Sequence, residues 1–155
     1  MTNRIDKESL ACFIEKAGLA RDGNFDIRRT GTDDAMVQAI IDRIATGEKS
    51  MTYSLPWIAE QENRPAPIAG LHLVVLNASG SPALLLKLTE VRKILFGEVS
   101  EEDIKREGIP MRSLSAWRPL HIAVWNEKLA PYGLSVSDDM PVWAENFDLI
   151  YPDSY

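Results

Sequence analysis

The chain predicts an α+β domain, a small mixed β-barrel with flanking helices packed outside it. Three observations carry this. Two apolar runs, residues 71–76 and 83–96, are separated by Asn77-Ala78-Ser79-Gly80-Ser81, the turn chemistry of a β-hairpin. A third run, 142–151, reads as a closing strand. In other segments apolar side chains recur at three- and four-residue steps, the period of a helix that buries one face.

The elements follow in order. Residues 6–18 predict a helix, with Leu10, Phe13 and Ile14 at helical spacing and Gly18 at its end. Residues 19–31 are polar, carry the turn chemistry Asp22-Gly23-Asn24, and read as a linker. A second helix is expected over 33–46, with Thr32 as its N-cap and Asp33 and Asp34 in the first turn. Met36, Val37, Ile40, Ile41 and Ile44 form its apolar stripe, and Gly47 closes it. Residues 49–55 should be extended, since Pro56 disfavours helix at the residue before it. A short helix over 57–62 leads to a stiff loop at Arg64-Pro65-Ala66-Pro67. The 83–96 run is long enough for a strand that bends or bulges partway. Residues 101–107 predict a short helix capped by Ser100. A longer helix capped by Ser113 or Ser115 follows, with Trp117, Leu120, His121, Val124 and Trp125 on its stripe. Pro119 should weaken its first turns by removing a hydrogen bond.

Length and charge bound the function. At 155 residues the chain fits one domain with a sizeable core. Its longest apolar stretches are too short to cross a bilayer, so no membrane partner is expected. The N-terminal residues lack the apolar stretch of a secretion signal, and the single cysteine, Cys12, cannot form an internal disulfide. Both point to a reducing cytoplasm. A net charge of −6 argues against a duplex-DNA binder, whose affinity comes mainly from Lys and Arg on phosphate. A small, locally basic cleft for one or a few nucleotides is compatible with it. With two histidines, one cysteine and no tight carboxylate cluster there is no metal-ligand spacing, and no cofactor is expected. Neither a Ser-His-Asp motif nor a glycine-rich phosphate loop is present.

The segment Gly47-Glu48-Lys49-Ser50-Met51-Thr52 places a lysine near a hydroxyl, a pairing that activates a nucleophile or holds an anion. In a regular strand, residues three apart face opposite sides, so Lys49 and Thr52 share a site only if the segment bends. The alternative for Thr52 is an ordinary strand residue. Tyr53 and Trp57 are candidates to stack on a base, or to belong to the core. Glu90 is an acidic candidate, or a sheet-surface partner of its neighbours Lys87 and Arg92. Ser113 serves as a cap or as a ligand contact. Arg118 suits bidentate phosphate binding or a surface ion pair. His121 lies on an apolar stripe, the usual place of a core histidine.

These pieces come in a recognisable order. Gly47-Glu48-Lys49-Ser50-Met51-Thr52 is followed by Tyr53-Ser54-Leu55-Pro56-Trp57 and a strand pair ending in Thr89-Glu90-Val91. Arg106-Glu107-Gly108 comes next, then Ser113-Leu114 with Trp117-Arg118 and His121. Asp139-Met140-Pro141-Val142 finally runs into Phe147-Asp148-Leu149-Ile150-Tyr151. That succession resembles the ASCH family, of PUA-like fold and related to RNA-binding modules, over residues 33–151. The resemblance divides the chain into residues 1–31, a helix and linker packed on the domain, and 32–155, the ASCH domain. It implies a cytoplasmic protein whose cleft takes single-stranded RNA or a modified nucleoside, with Lys49, Thr52 and Glu107 as catalytic residues. Tyr53, Trp57, Glu90, Ser113 and Arg118 would then bind substrate.

As a ribonuclease of this family, the chain would set Lys49 on the scissile phosphate and use Glu107 or a nearby hydroxyl to handle protons from the ribose 2′-hydroxyl. As an amidohydrolase deacylating acetylcytidine, it would use Lys49 to activate Thr52 and Glu107 to shuttle the proton. A non-catalytic reader of RNA or of a small ligand is the third function the resemblance implies. The chain departs from the family pattern at Gly70-Leu71, where many relatives carry an acidic residue after the glycine. It departs again over 107–113, which lacks the acidic, glycine-rich character usual there.

Overall fold

The computed structural model describes residues 7–19 and 24–152. In chain order the elements are α1 (Lys7–Ala17), β1 (Phe25–Arg29), α2 (Asp34–Ala45), β2 (Met51–Ser54), α3 (Pro56–Gln61), β3 (His72–Leu76), β4 (Pro82–Leu95), α4 (Leu114–Leu129) and β5 (Pro141–Tyr151). The strands form one sheet of order β1-β3-β4-β5-β2, curled into a five-stranded half-barrel. The β1–β3 pairing is parallel and the others are antiparallel.

The expected hairpin is present. Asn77 closes it twice, through its backbone N–H to the Ser81 carbonyl (2.8 Å) and by accepting from the Ser79 and Ser81 N–H groups at Oδ1. β4 is as long as the run suggested. Its register against β5 shifts between Leu85 and Leu86 and again between Leu88 and Glu90. Such irregularities bend a strand and sharpen its twist, which is how one strand spans the whole curl. β3 reads as a continuous apolar run because both of its faces are covered. Leu73 and Val75 pack with Val37, Ile41 and Ile44 of α2, while Val74 and Leu76 pack with Leu10, Phe13 and Ala17 of α1. A third cluster, with Phe96, Trp117, Trp125, Leu129, Met140 and Val142, seats α4 against the far end of the sheet.

Four local expectations need correction. The 19–31 linker contains β1, the edge strand beside β3. Phe25 and Ile27 supply its short alternation, which the turn chemistry before it obscured (residues 20–23, like residue 6 of the first helix, lie outside the described residues). The N-cap of α2 is Asp33, whose extended backbone lets Oδ1 accept from the Met36 N–H at 2.8 Å; Thr32 lies one residue further out. The 101–107 helix is a single 3-10 turn, Glu102–Ile104, after which the chain turns so that Glu107 points inward. Ser113 holds the N-cap position of α4 but makes no side-chain capping bond. α4 continues through Pro119 to Leu129. Among the described residues, no helix is long and apolar enough to cross a membrane.

Candidate functional site

β1 and β2 are the edges of the curled sheet, each paired on one side only. A cleft of about 900 Å³ opens between them, flanked by α2 and α4. Lys49, Thr52, Tyr53, Glu107 and His121 all line it.

Lys49 owes its position to the loop that follows α2. Gly47, at φ +82, ends the helix in the left-handed conformation that glycine adopts without strain. The Lys49 N–H then donates to the Arg43 carbonyl (3.0 Å), and the Ser50 N–H to the Arg106 carbonyl (2.9 Å). Arg112 ties this loop to the turn that carries Glu107, donating to the carbonyls of Glu107 and Glu48 at 2.7 Å each. Gly108 lets the Arg43 side chain lie close against this turn, since a Cβ there would stand 2.7 Å from Cδ of Arg43 and force it to shift. The two loops are thereby held close enough for Lys49 Nζ and Glu107 Oε1 to pair. Glu107 is only 3% exposed and Lys49 11%. The other carboxylate oxygen, Oε2, accepts from Trp117 Nε1–H at 3.0 Å, so both oxygens of the buried carboxylate are satisfied.

The spacing problem between Lys49 and Thr52 is resolved by where the strand begins. β2 starts only at Met51, so Lys49 and Ser50 precede it and the two-residue period does not apply across them. Met51 is buried in the core, and Thr52 and Tyr53 reach the cleft. The Tyr53 hydroxyl donates to the Asp103 carbonyl at 2.7 Å. Burial, with the nearby Glu107 carboxylate, raises its pKa well above the ordinary tyrosine value, so the hydroxyl stays protonated.

His121 lines the cleft from α4, and the buried Trp117, one helical turn before it, backs it. The two rings stack with centroids 4.3 Å apart. His121 Nδ1 lies 2.7 Å from the Trp117 carbonyl, which can only accept, so Nδ1 carries the proton. Nε2 then faces Glu107 Oε2 at 4.0 Å. Burial lowers the His121 pKa from its ordinary value, favouring the neutral ring. Neither residue was expected at the site from sequence. Their i, i+4 spacing on an apolar stripe was the available signal, and it reads equally well as core.

Four proposed binding residues do not line this cleft. Trp57 packs against the aromatic cluster of Phe96 and Trp117. Glu90 is exposed, 3.3 Å from Arg92, and accepts from Asn146. Ser113 stands at the start of α4 beside Ser115. Arg118 lies over the Phe96 ring and donates to the Phe96 carbonyl and to Asp138. Each of these side chains is engaged elsewhere in the fold.

The charges around the cleft are largely internal pairs. Its four arginines each face a carboxylate: Arg28 with Glu145, Arg29 with Asp34, Arg43 with Glu48 and Arg64 with Glu62. The first pair is bidentate, two hydrogen bonds of 2.7 Å, with Glu145 fully buried. Two buried hydroxyls that line the cleft, Thr30 Oγ1 and Ser54 Oγ, have no hydrogen-bond partner within the protein. Among the described residues no group of three or more His, Cys, Asp or Glu side chains is placed to hold a metal ion.

The curled sheet, flanking helices and edge-to-edge cleft define a PUA-like α+β domain. The family model of the ASCH domain matches residues 28–151, and the chain belongs to that family, which is associated with RNA binding. The match begins inside β1, consistent with that strand being part of the sheet. Among solved structures, the ASCH domain from Lactobacillus crispatus JV V101 is 25% identical with a TM-score of 0.83, covering 95% of this chain and 96% of that one. Protein EF3133 from Enterococcus faecalis V583 is 24% identical at TM-score 0.79, covering 93% and 86%, and shares the fold. The hypothetical protein PH0355 shares it more distantly, at 15% identity and TM-score 0.54 over 83% of this chain and 100% of that one. No curated protein matches the chain.

Proposed function

We propose that the cleft binds one nucleoside unit and hydrolyses an amide on its base, deacylating an acetylcytidine-like substrate. The observation that carries this reading is the shielded Lys49–Glu107 pair, which lines the same cleft as Thr52. A lysine that passes its proton to a paired carboxylate can take the proton of a nearby hydroxyl. In this mechanism Thr52 Oγ1 attacks the acyl carbon and its proton goes to Lys49. As the C–N bond breaks, Glu107 gives its proton to the departing amine. Water then hydrolyses the acyl-threonine, and the products are a carboxylic acid and the free amino base.

The pairing of every cleft arginine supports an uncharged ligand over a phosphate backbone, since a guanidinium committed to a carboxylate offers less to an incoming anion. The decisive assay incubates the protein separately with acetylcytidine and with single-stranded RNA and identifies products by mass spectrometry. Cytidine and acetate are expected from the first. Shortened RNA with no deacylation would favour the ribonuclease, and binding without any product the non-catalytic reader.

A further inference from the structure

His121 has no part in the acylation chemistry just described, yet its geometry is that of a prepared proton acceptor. Its ring is sandwiched against Trp117 and meets Trp125 edge-on at 4.7 Å, so it cannot swing freely. The Nδ1–H bond to the Trp117 carbonyl fixes the tautomer and leaves a lone pair on Nε2. That lone pair stands 4.0 Å from Glu107 Oε2, too far for a direct bond. Two acceptors at this separation call for a small group between them that carries two hydrogens. A molecule donating to both at about 2.8 Å spans such a gap with a bent geometry. Oε2 already accepts from Trp117 but retains a second acceptor site.

We propose that His121 Nε2 and Glu107 Oε2 together hold the hydrolytic water, and that His121 is the base for the second half of the reaction. The inference rests on the amidohydrolase reading above. In this step the water oxygen bonds to the acyl carbon while one of its protons passes to Nε2. The ester bond to Thr52 Oγ1 then breaks, and the proton from Nε2 returns to that oxygen. One water is consumed, a carboxylic acid leaves, and the enzyme is restored. The charged and titratable groups around the imidazole are Glu107 and Lys49 from the facing loops, Tyr53 from β2 and Lys128 from α4 itself. Burial, which lowers the His121 pKa, keeps the ring in its accepting form near neutrality.

The test is rapid-quench kinetics on acetylcytidine with the wild type, His121→Gln and His121→Phe, each checked for folding by thermal melting. Phenylalanine preserves the stack on Trp117 without either nitrogen. Both variants should release about one equivalent of cytidine per enzyme and then turn over on the order of 100-fold more slowly. Peptide mapping should find the acetyl group on Thr52. In the wild type, the deacylation rate should fall as pH drops below the ordinary histidine value of about 6.5, and His121→Gln should lack that limb. Variants that turn over at the wild-type rate, or slow without acyl-enzyme, would overturn the role of His121 and leave the amidohydrolase reading intact. If the variants do not fold, a wild-type deacylation rate that stays flat from neutral pH down through the acid range below about 6.5, where the lowered His121 pKa lies, overturns it. A wild type that releases no cytidine overturns both.

Discussion

Lys49 and Glu107 stand 58 residues apart in the chain and meet as a shielded ion pair on the wall of the cleft. Neither charge has bulk water to fall back on, so the pair couples catalysis to stability. Lys49→Ala should lower deacylation by about 100-fold or more, the scale of a lost general acid or base. It should also cost roughly 3 kcal/mol of stability, since it strands a buried carboxylate. Adding Glu107→Gln should recover part of that stability and none of the activity. Full hydrolytic activity in Lys49→Ala would place the active site elsewhere.

Thr52 separates the two hydrolytic chemistries. Thr52→Ala should abolish deacylation, whereas Thr52→Ser, which keeps a hydroxyl, should retain a measurable rate. A ribonuclease attacks through the ribose 2′-hydroxyl of its substrate and would tolerate the alanine. Rates of the two variants on acetylcytidine and on single-stranded RNA distinguish these outcomes.

Arg28 and Glu145 join β1 to β5 across the curl, a link that the strand pairing does not provide. Arg28→Met should destabilise the fold by roughly 3–5 kcal/mol, because it leaves Glu145 buried without its cation. The double variant Arg28→Met with Glu145→Leu should recover most of the loss. Urea titrations measure both. A single variant as stable as the wild type would show that the pair is not a clamp.

Tyr53 makes a prediction about alkaline stability. Its folded-state pKa is raised, first by burial and then by Glu107, while the unfolded chain has the ordinary value of about 10. Above that value the unfolded state loses the proton more readily than the folded one, so stability should fall as pH rises. Tyr53→Phe lacks this group and should lose less stability between pH 9 and 11. At neutral pH it should cost about 1 kcal/mol for the lost bond to Asp103. Parallel pH curves for the two proteins would contradict the assignment.

Much of the architecture was legible from local pattern. The hairpin, the long bending β4, closing β5 and helices α2 and α4 each carry a period or a turn signal within a few residues. β1 was not legible. Five residues of mixed polarity beside a turn give too short an alternation, and their strand state comes from pairing with β3, over forty residues away.

The site divides the same way. Residue chemistry nominated Lys49, Thr52 and Tyr53, the family resemblance nominated Glu107, and all four line one cleft. Trp57, Glu90, Ser113 and Arg118 had equally plausible side chains, and packing engaged them elsewhere. Only the tertiary structure decided that division, and only it brought Trp117 and His121 to Glu107 and Arg28 to Glu145. Local order dictates which groups a segment offers and which way its backbone runs. Which offers meet depends on how a curled sheet closes and where its loops are tied, and those contacts join residues that no local period connects.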